Sequence, residues 1–262
     1  MKKAASALAR GLALLDLFEG EDAALTIEEM AQTLGVSART VYRDVRTLRD
    51  AGFLDPTANA GYTLGPAFVH FDWLLRKGDG LIRCAAGPMR QLLDTTRQEA
   101  TVVLCRRYRD CVMCIHQEHG LAPHTSPVYE RGVSVPIFAG ATSKAILAHL
   151  SARGLKRIYL ENEAEIRAAS RNVDWKTFSA ELARIRTEGY ALTISELRPG
   201  GVGIASPILR DDQVVGSLAL IFQKTGSDTE DTYRGYAKRV KEGAREISAS
   251  LMQLADATIA RQ

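Results

Sequence analysis

Residues 26–52 read TIEEMAQTLGVSARTVYRDVRTLRDAG, and this stretch decides how the N-terminal part folds. Thr26 stands three residues before Glu29, the spacing at which a hydroxyl caps a helix while the carboxylate reaches back to the capping residue, so a helix starts here. Ile27, Met30, Ala31 and Leu34 then recur on one helical face, and Gly35 supplies a left-handed stop. Gly35 and Val36 form a turn, Ser37 caps a further helix running to about Ala51, and Gly52 ends it. On that helix Val41, Val45 and Leu48 fall at i, i+4 and i+7 and form the inward stripe. Arg39, Arg43 and Arg46 project on the opposite side, with Thr40 and Thr47 on one flank and Tyr42 and Arg49 on the other.

Working outward, Leu8, Leu12, Leu15 and Phe18 recur at helical spacing and predict an amphipathic helix from about Ser6 to Phe18. Phe53-Leu54 and Tyr62-Thr63-Leu64 read as two short strands around a loop with Pro56, Asn59 and Gly61, which makes a wing. Pro66 suits the first turn of another helix, Ala67 to about Arg76, and Lys77-Gly78-Asp79-Gly80 is the best boundary in the chain. The expected division is a winged helix-turn-helix domain over 1–65, a linker helix and boundary over 66–80, and a second domain over 81–262.

A helix docked through a glycine turn, with guanidinium groups and short hydroxyls outward, fits a DNA major groove. Arginine donates two parallel hydrogen bonds to guanine or pairs with phosphate, and the first half of such a helix enters the groove. Arg39, Thr40 and Arg43 are therefore the sharpest candidates for base contacts. Thr26, Ser37, Tyr42, Arg46 and Thr47 complete the set, with Asn59 and Tyr62 from the wing. Lys2, Lys3 and Arg10 form a second basic group within reach of phosphate, while Glu19, Glu21, Asp22, Glu28 and Glu29 are expected to face away from DNA. The plain alternative is a solvated charged helix face. Residues 1–80 carry 9 Lys and Arg against 11 Asp and Glu, so local clustering rather than segment charge must attract DNA.

Across all 262 residues, 46% hydrophobic and 25% charged content is the balance of an ordinary globular protein, which excludes disorder. No apolar run approaches the roughly 18 residues of a membrane span, and Arg10 and Asp16 interrupt the only signal-like segment, so a cytoplasmic protein is expected. The four cysteines are too few and too uneven for a disulfide framework.

Beyond the boundary the pattern turns to mixed helix and strand. Leu81 to about Thr96 reads as helix, Thr101 to Arg106 and Cys111 to Gln117 as a hairpin, and Val133 to Phe138 as a strand. Helices follow at about Thr142 to Leu150 and Trp175 to Thr187. Gly203 to Leu209 and Val214 to Phe222 are strands around Arg210-Asp211-Asp212, and a long helix closes the chain from about Thr229 to Ala257.

With these elements in order, the sequence resembles the IclR type of bacterial transcriptional regulator. The resemblance is carried by Ser6 to Leu12, Thr26 to Leu64, Tyr62-Thr63-Leu64-Gly65, Gly140 to Ala148, Gly189-Tyr190-Ala191, Glu196, and Gly201 to Pro207. It implies an α+β chain: an all-α winged helix-turn-helix with a small β wing, then an α/β effector-binding domain with a curved antiparallel sheet of the GAF or profilin-like kind. It further implies a homodimer through the winged domains and linker helix, often paired into a tetramer, on a near-palindromic double-stranded DNA operator, responding to a small-molecule effector. The effector pocket implied lies over one face of the sheet, closed by the segment Ala139 to Lys144.

The pocket candidates are Ala139, Gly140, Ala141, Thr142, Glu196, Gly203, Ile204, Ala205, Ala219 and Ile221, joined by Val103, Cys105 and Cys114 from the hairpin, for whose cysteines burial as small core residues is the alternative. Gly140 permits close backbone approach, and Thr142 near a helix N-terminus offers a hydroxyl beside unpaired amides, which suits a carboxylate. A loop-to-helix cap without ligand is the alternative for that segment, as is loop bracing for Glu196. Ala219 and Ile221 stand where family members can carry small polar groups, which favours an aromatic or other apolar organic acid as effector.

Cys105, Cys111, Cys114 and His116 invite a second reading, a metal- or thiol-redox-responsive regulator using Cys105, Cys114 and His116. With a two-residue turn at Arg109-Asp110, residue 105 pairs with 114 and shares a face with Val103 and His116; with a three-residue turn it pairs with Met113. The spacing is not a repeated CxxC, no metal ligand set is assigned and no cofactor is expected. Nor is there a Ser-His-Asp ordering, nucleophile elbow, phosphate loop or paired-His metal helix, so the chain does not read as an enzyme.

Overall fold

A computed structural model describes residues 6–20, 24–96, 99–121, 129–169 and 173–259, with side chains described as far as residue 254. Lys2, Lys3, Glu21 and Asp22 lie outside the described residues. The chain forms two compact units that meet between Gly78 and Asp79.

In the first unit Ser6 caps α1 (Ala7–Asp16), which ends in a 3-10 turn, Leu17–Glu19. The Thr26–Glu29 capping box starts α2 (Ile27–Leu34), Gly35 ends it at φ +64°, and Ser37 caps α3 (Ala38–Asp50). Strands β1 (Leu54–Pro56) and β2 (Tyr62–Leu64) form the wing, with Leu25 bridging to Tyr62, and α4 (Ala67–Gly78) follows. Pro56, expected in the loop, sits in β1 opposite Tyr62. Proline tolerates such an edge position because no partner there needs its missing amide proton.

Leu14, Met30, Val41, Val45 and Leu54 make the core of this unit. The first helix corrects the sequence reading, since Leu8 and Leu12 are 75% and 55% exposed while Leu14 is fully buried. The docked face is Arg10, Leu14 and Leu17, also at i, i+4 and i+7, and a charge in the middle of it obscured the pattern. Arg10 is accommodated because its Nε and Nη2 donate to the Asp44 carboxylate at 2.6 and 3.1 Å.

The second unit is built on a six-stranded antiparallel sheet, curled as a half-barrel, with strand order β5-β4-β3-β8-β7-β6. Its strands are β3 (Thr101–Tyr108), β4 (Cys111–His119), β5 (Ser134–Pro136), β6 (Ala191–Ile194), β7 (Gly201–Arg210) and β8 (Gln213–Gln223). The expected strand over 133–138 is thus limited to Ser134–Pro136, and β3 and β4 each extend beyond the expected hairpin. Helices α5 (Gly80–Asp94) and α10 (Glu230–Ile259) flank one face, where Val102, Leu104, Val202, Ile204, Leu218, Leu220 and Phe222 point.

Helices α6 (Gly140–Leu147), α7 (Ala152–Glu161), α8 (Glu163–Ala169) and α9 (Trp175–Glu188) complete the helical set of this unit, packing around the alternate set Val103, Cys105, Ala205, Ala219 and Ile221. Two of them, α7 and α8, were not expected from the sequence, and α6 begins two residues earlier than read. Among the described residues no helix is long and apolar enough to cross a membrane.

Candidate nucleic-acid interface and buried cavity

Helix α3 is fixed from below by Val41 and Val45, both essentially inaccessible, and at its start by Ser37, whose hydroxyl accepts from the Thr40 amide and lies 2.9 Å from the Thr40 hydroxyl. Arg39, Tyr42, Arg43, Arg46 and Thr47 are all exposed. Arg46 and Arg49 lean on Asp50 at 3.8 and 2.7 Å, whereas Arg39 and Arg43 have no ion-pair partner among the described residues. Unpaired guanidinium groups therefore concentrate in the N-terminal half of the helix, the half that enters a groove.

The remaining DNA candidates divide. Asn59 is exposed at the tip of the wing, in the Thr57–Gly61 loop closed by Thr57 N–H on the Gly61 carbonyl. Tyr62 is half-buried against the core, with its backbone paired to Leu25 on one side and to Pro56 on the other. The Thr26 hydroxyl is committed to its cap, 2.8 Å from Glu29 Oε2, and the Thr26 backbone N–H, also at 2.8 Å, followed by this hydroxyl holds the Glu29 carboxyl below its usual range. Arg10, read as a phosphate contact, is instead held by Asp44, a correction that follows from its place on the docked face.

In the second unit the alternation of β-strand side chains brings Val103, Cys105, Cys114, Ala141, Ala205, Ala219 and Ile221 together on the α6 side of the sheet. Ile204 was expected with them and is not: it lies one residue out of phase with Gly203 and Ala205 and packs toward α5 and α10. Helix α6 starts from Ala139 without a side-chain cap, and Gly140 adopts φ +82°. A Cβ at Gly140 would stand 2.6 Å from Leu197 Cδ1, so only glycine lets Leu197 and Tyr129 close over this turn.

Thr142 Oγ1 is buried without a hydrogen-bond partner, and the Thr142 carbonyl accepts from Ser217 Oγ at 3.1 Å. Lys144 is buried between two carboxylates, Glu181 and Glu196, each at 2.9 Å. Burial pulls its ammonium down, and Glu196 and Glu181 more than offset this, leaving it raised.

Beside this network lies a narrow cavity lined by Tyr129, Thr193, Glu196, Leu197, Arg198 and Gly203, with Ile221 behind. Its volume is about 10 Å³, roughly the room one water needs. Burial, with the nearby Cys105 and Glu196, pushes the Tyr129 hydroxyl well above the usual phenol range.

The hairpin turn takes two residues, Arg109 and Asp110, the first of the two alternatives, so Tyr108 faces Cys111 and Cys105 faces Cys114. A bulge then shifts the register between Leu104 and Cys105, setting His116 opposite Leu104 and Gln117 opposite Val103. His116 consequently turns to the α5 side, where Nε2 lies 3.3 Å from Glu118 and Glu118 approaches Arg90 of α5. The expected Cys105–Cys114–His116 cluster is therefore split across the sheet by one inserted residue. Both thiols are free: the bond with Cys114 and then burial push Cys105 up, while the bond with Cys105 lowers Cys114.

Both halves of the chain find matches among known proteins. The family model described as IclR helix-turn-helix domain matches residues 7–57, and that described as Bacterial transcriptional regulator IclR C-terminal matches residues 77–249. The chain belongs to the IclR family of transcriptional regulators. Like other IclR proteins it is a DNA-binding regulator with an effector-binding C-terminal domain. The HTH-type transcriptional regulator KipR of Bacillus subtilis is 28% identical over 92% of this chain and 95% of its own length.

Among solved IclR structures, a regulator from Alicyclobacillus acidocaldarius superposes with a TM-score of 0.75 at 24% identity, covering 95% of this chain and 99% of its own. A homologue from Microbacterium hydrocarbonoxydans, solved in complex with 4-hydroxybenzoate, gives 0.74 at 20% identity over 94% and 99% of the two chains. Tyr129, Thr193, Leu197 and Arg198 are the cavity residues that sequence reasoning missed. Arg198 alone carried a signal, a cation next to Pro199 and two glycines; Tyr129 reaches the cavity only through tertiary folding.

Proposed function

We propose that the chain acts in the cytoplasm as a non-catalytic homo-oligomer that reads a near-palindromic duplex operator with α3 and releases or grips it according to a small organic acid. The observation that carries this reading is the exposed, unpaired pair Arg39 and Arg43 at the groove-entering end of a helix whose other face is locked into a core. Thr40, Tyr42, Arg46 and Thr47 extend the contact surface, Ser37 sets the helix start, and Asn59 supplies a wing contact.

The partner copy is favoured by apolar surface on the winged unit. Leu8, Leu12, Leu15, Leu48 and Phe53 line a groove of about 390 Å³, and α4 exposes Val69, Trp73 and Leu75 at 73%, 55% and 60%. Surface of that kind in a monomer marks an association site, and a second winged unit would set the two half-sites of a palindrome; two such dimers would pair into a tetramer. The linker role of α4 rests on the same argument. The effector must bind two quaternary arrangements unequally to change operator affinity. Ala219 and Ile221 put apolar side chains on that face of the sheet, which favours an aromatic acid, and the 4-hydroxybenzoate complex of the Microbacterium homologue is in keeping with that chemistry.

Selection from a randomised duplex pool at two salt concentrations tests the reading. An enriched inverted repeat with a steep salt dependence supports it; retention that is uniform in sequence at both salts, with and without added acids, overturns it.

A further inference from the structure

Cys105 of β3 and Cys114 of β4, which the proposed mechanism does not use, stand directly opposite each other in an antiparallel pair, each 2% exposed. Backbone hydrogen bonds tell which kind of pair it is. Cys114 N–H donates to the Val133 carbonyl at 3.2 Å, and its carbonyl accepts from Gly132 N–H at 2.8 Å, so both of its polar groups turn away from β3. The Cys105 carbonyl turns the other way, toward β8, where a Cβ at Gly216 would stand 2.6 Å from it. The two cysteines therefore form a non-hydrogen-bonded pair, the kind in which Cα atoms approach to about 4.5 Å and side chains lie closest. A disulfide needs a Cα separation of about 4.4–6.8 Å with both side chains on one face, and the fold supplies both conditions.

The surroundings choose the chemistry. The pair lies in the buried cluster with Val103, Ala141, Ala219 and Ile221, where a charged product is costly. A dithiolate around a thiophilic cation carries a negative charge, and the imidazole that could complete a metal site, His116, is turned to the other face by the bulge. A disulfide is neutral. The remaining cysteines have no such neighbour, since Cys84 lies on α5 and Cys111 faces Tyr108 across the hairpin. The bond with Cys105 lowers Cys114, and the charge of Arg131 acts in the same direction, so Cys114 is the thiol that ionises and reacts first. Cys105, pushed up by Cys114 and by burial, keeps its proton until it closes the bond.

We infer that Cys105 and Cys114 are an oxidation site, which a small hydroperoxide converts reversibly into a cross-strand disulfide. Cys114 Sγ attacks one oxygen of the hydroperoxide and the O–O bond breaks. The other oxygen takes up the proton that Cys114 gave and leaves as an alcohol, or as water from hydrogen peroxide. Cys114 is then a sulfenic acid. Cys105 Sγ attacks that sulfur, the S–O bond breaks, and the hydroxyl leaves as water with the Cys105 proton. The two thiols together lose two electrons and the hydroperoxide gains them. Burial limits the oxidant's size. Tyr129, of the same buried cluster, lines the cavity of about 10 Å³, room on the scale of a water molecule and far below that of a peptide disulfide.

The test exposes the full, reduced chain in a chelating buffer to hydrogen peroxide and, separately, to glutathione disulfide. Remaining thiols are then alkylated and unreduced tryptic peptides are mapped by mass spectrometry. Peroxide is expected to join the peptide carrying Cys105 to the one carrying Cys111 and Cys114 within a single chain, with loss of two hydrogens, and dithiothreitol to undo the link. Cys111→Ser, an alteration at the rim of the hairpin, should keep the link, and Cys114→Ala should lose it. Glutathione disulfide should form it at least about tenfold more slowly than peroxide at equal concentration, because the folded chain excludes it. Absence of the link after peroxide, loss of the link in Cys111→Ser, linkage through Cys84, linkage only in urea, or equal rates with the two oxidants overturns the inference. Wild type and Cys111→Ser decide the matter even where Cys114→Ala fails to fold.

Discussion

Arg10 of α1 and Asp44 of α3, 34 positions apart in sequence, are joined by two parallel hydrogen bonds at 2.6 and 3.1 Å, with side-chain exposures of 15% and 9%. The pair fastens α1 to the inner side of α3. Asp44→Ala removes the two bonds that hold the Arg10 guanidinium against α3, so the winged unit should melt at a lower temperature. Asp50→Ala, which removes only exposed partners of Arg46 and Arg49, should scarcely change it. Equal melting temperatures of the two variants by circular dichroism would show that the brace is inert.

Arg43→Ala should weaken specific operator binding by about 1–3 kcal/mol if the guanidinium grips one base pair, and relax selection at that position. Arg49→Ala, at the far end of α3 and paired with Asp50, should weaken binding less and uniformly across sequences. Competition with single-base operator variants separates the two patterns.

Leu14 and Leu12 differ by two positions and by their whole environment. Leu14→Ala removes a fully buried side chain from a small core and should cost about 2–5 kcal/mol. Leu12→Glu alters a residue 55% exposed on the apolar groove, and should leave the fold intact while shifting sedimentation toward the monomer. Unchanged sedimentation of Leu12→Glu would place the partner contact elsewhere.

Lys144→Ala leaves Glu196 and Glu181 facing each other without their shared cation, and should destabilise the second unit by about 3 kcal/mol. Because the folded-state pKa of Lys144 is raised, its contribution is fully present below the ordinary lysine value and is lost as pH rises through the folded value. Urea unfolding should therefore show wild type and Lys144→Ala converging only at strongly alkaline pH.

Asp174 caps α9 by accepting from the Thr177 amide at 2.8 Å, and that bond holds its carboxyl below the usual range. The stabilisation is present above the unfolded pKa, about 3.9, and disappears as pH falls through the lower folded value. Asp174→Asn, which caps without a titrating charge, should lose less stability between pH 5 and pH 3 than wild type, as read by urea unfolding at a series of pH values (working window roughly two units around the carboxylate range).

The two halves of the chain were unequally legible. From Thr26 to Gly52 every signal is local: caps, a left-handed glycine and a three- to four-residue apolar period fix the helices and leave the arginines outward. Only α1 misled, because Arg10 interrupts the stripe on its docked face and the more regular Leu8–Leu12–Leu15 stripe lies in the open. In the second unit the hairpin turn was readable and the bulge beyond it was not. One extra residue on β4 moved His116 to the far face, away from the two thiols with which a regular hairpin would have grouped it.

Sequence by itself determined the winged helix-turn-helix, the outward-facing arginines of α3 and the family resemblance, because each depends on contacts within a few residues or on motif order. Tertiary structure alone decided which strand face carries the cavity, that Ile204 faces away from it, and that Glu196 belongs to Lys144. Those outcomes depend on strand phase and on pairings between distant segments, where a shift of a single residue reverses a side chain and no local pattern records it.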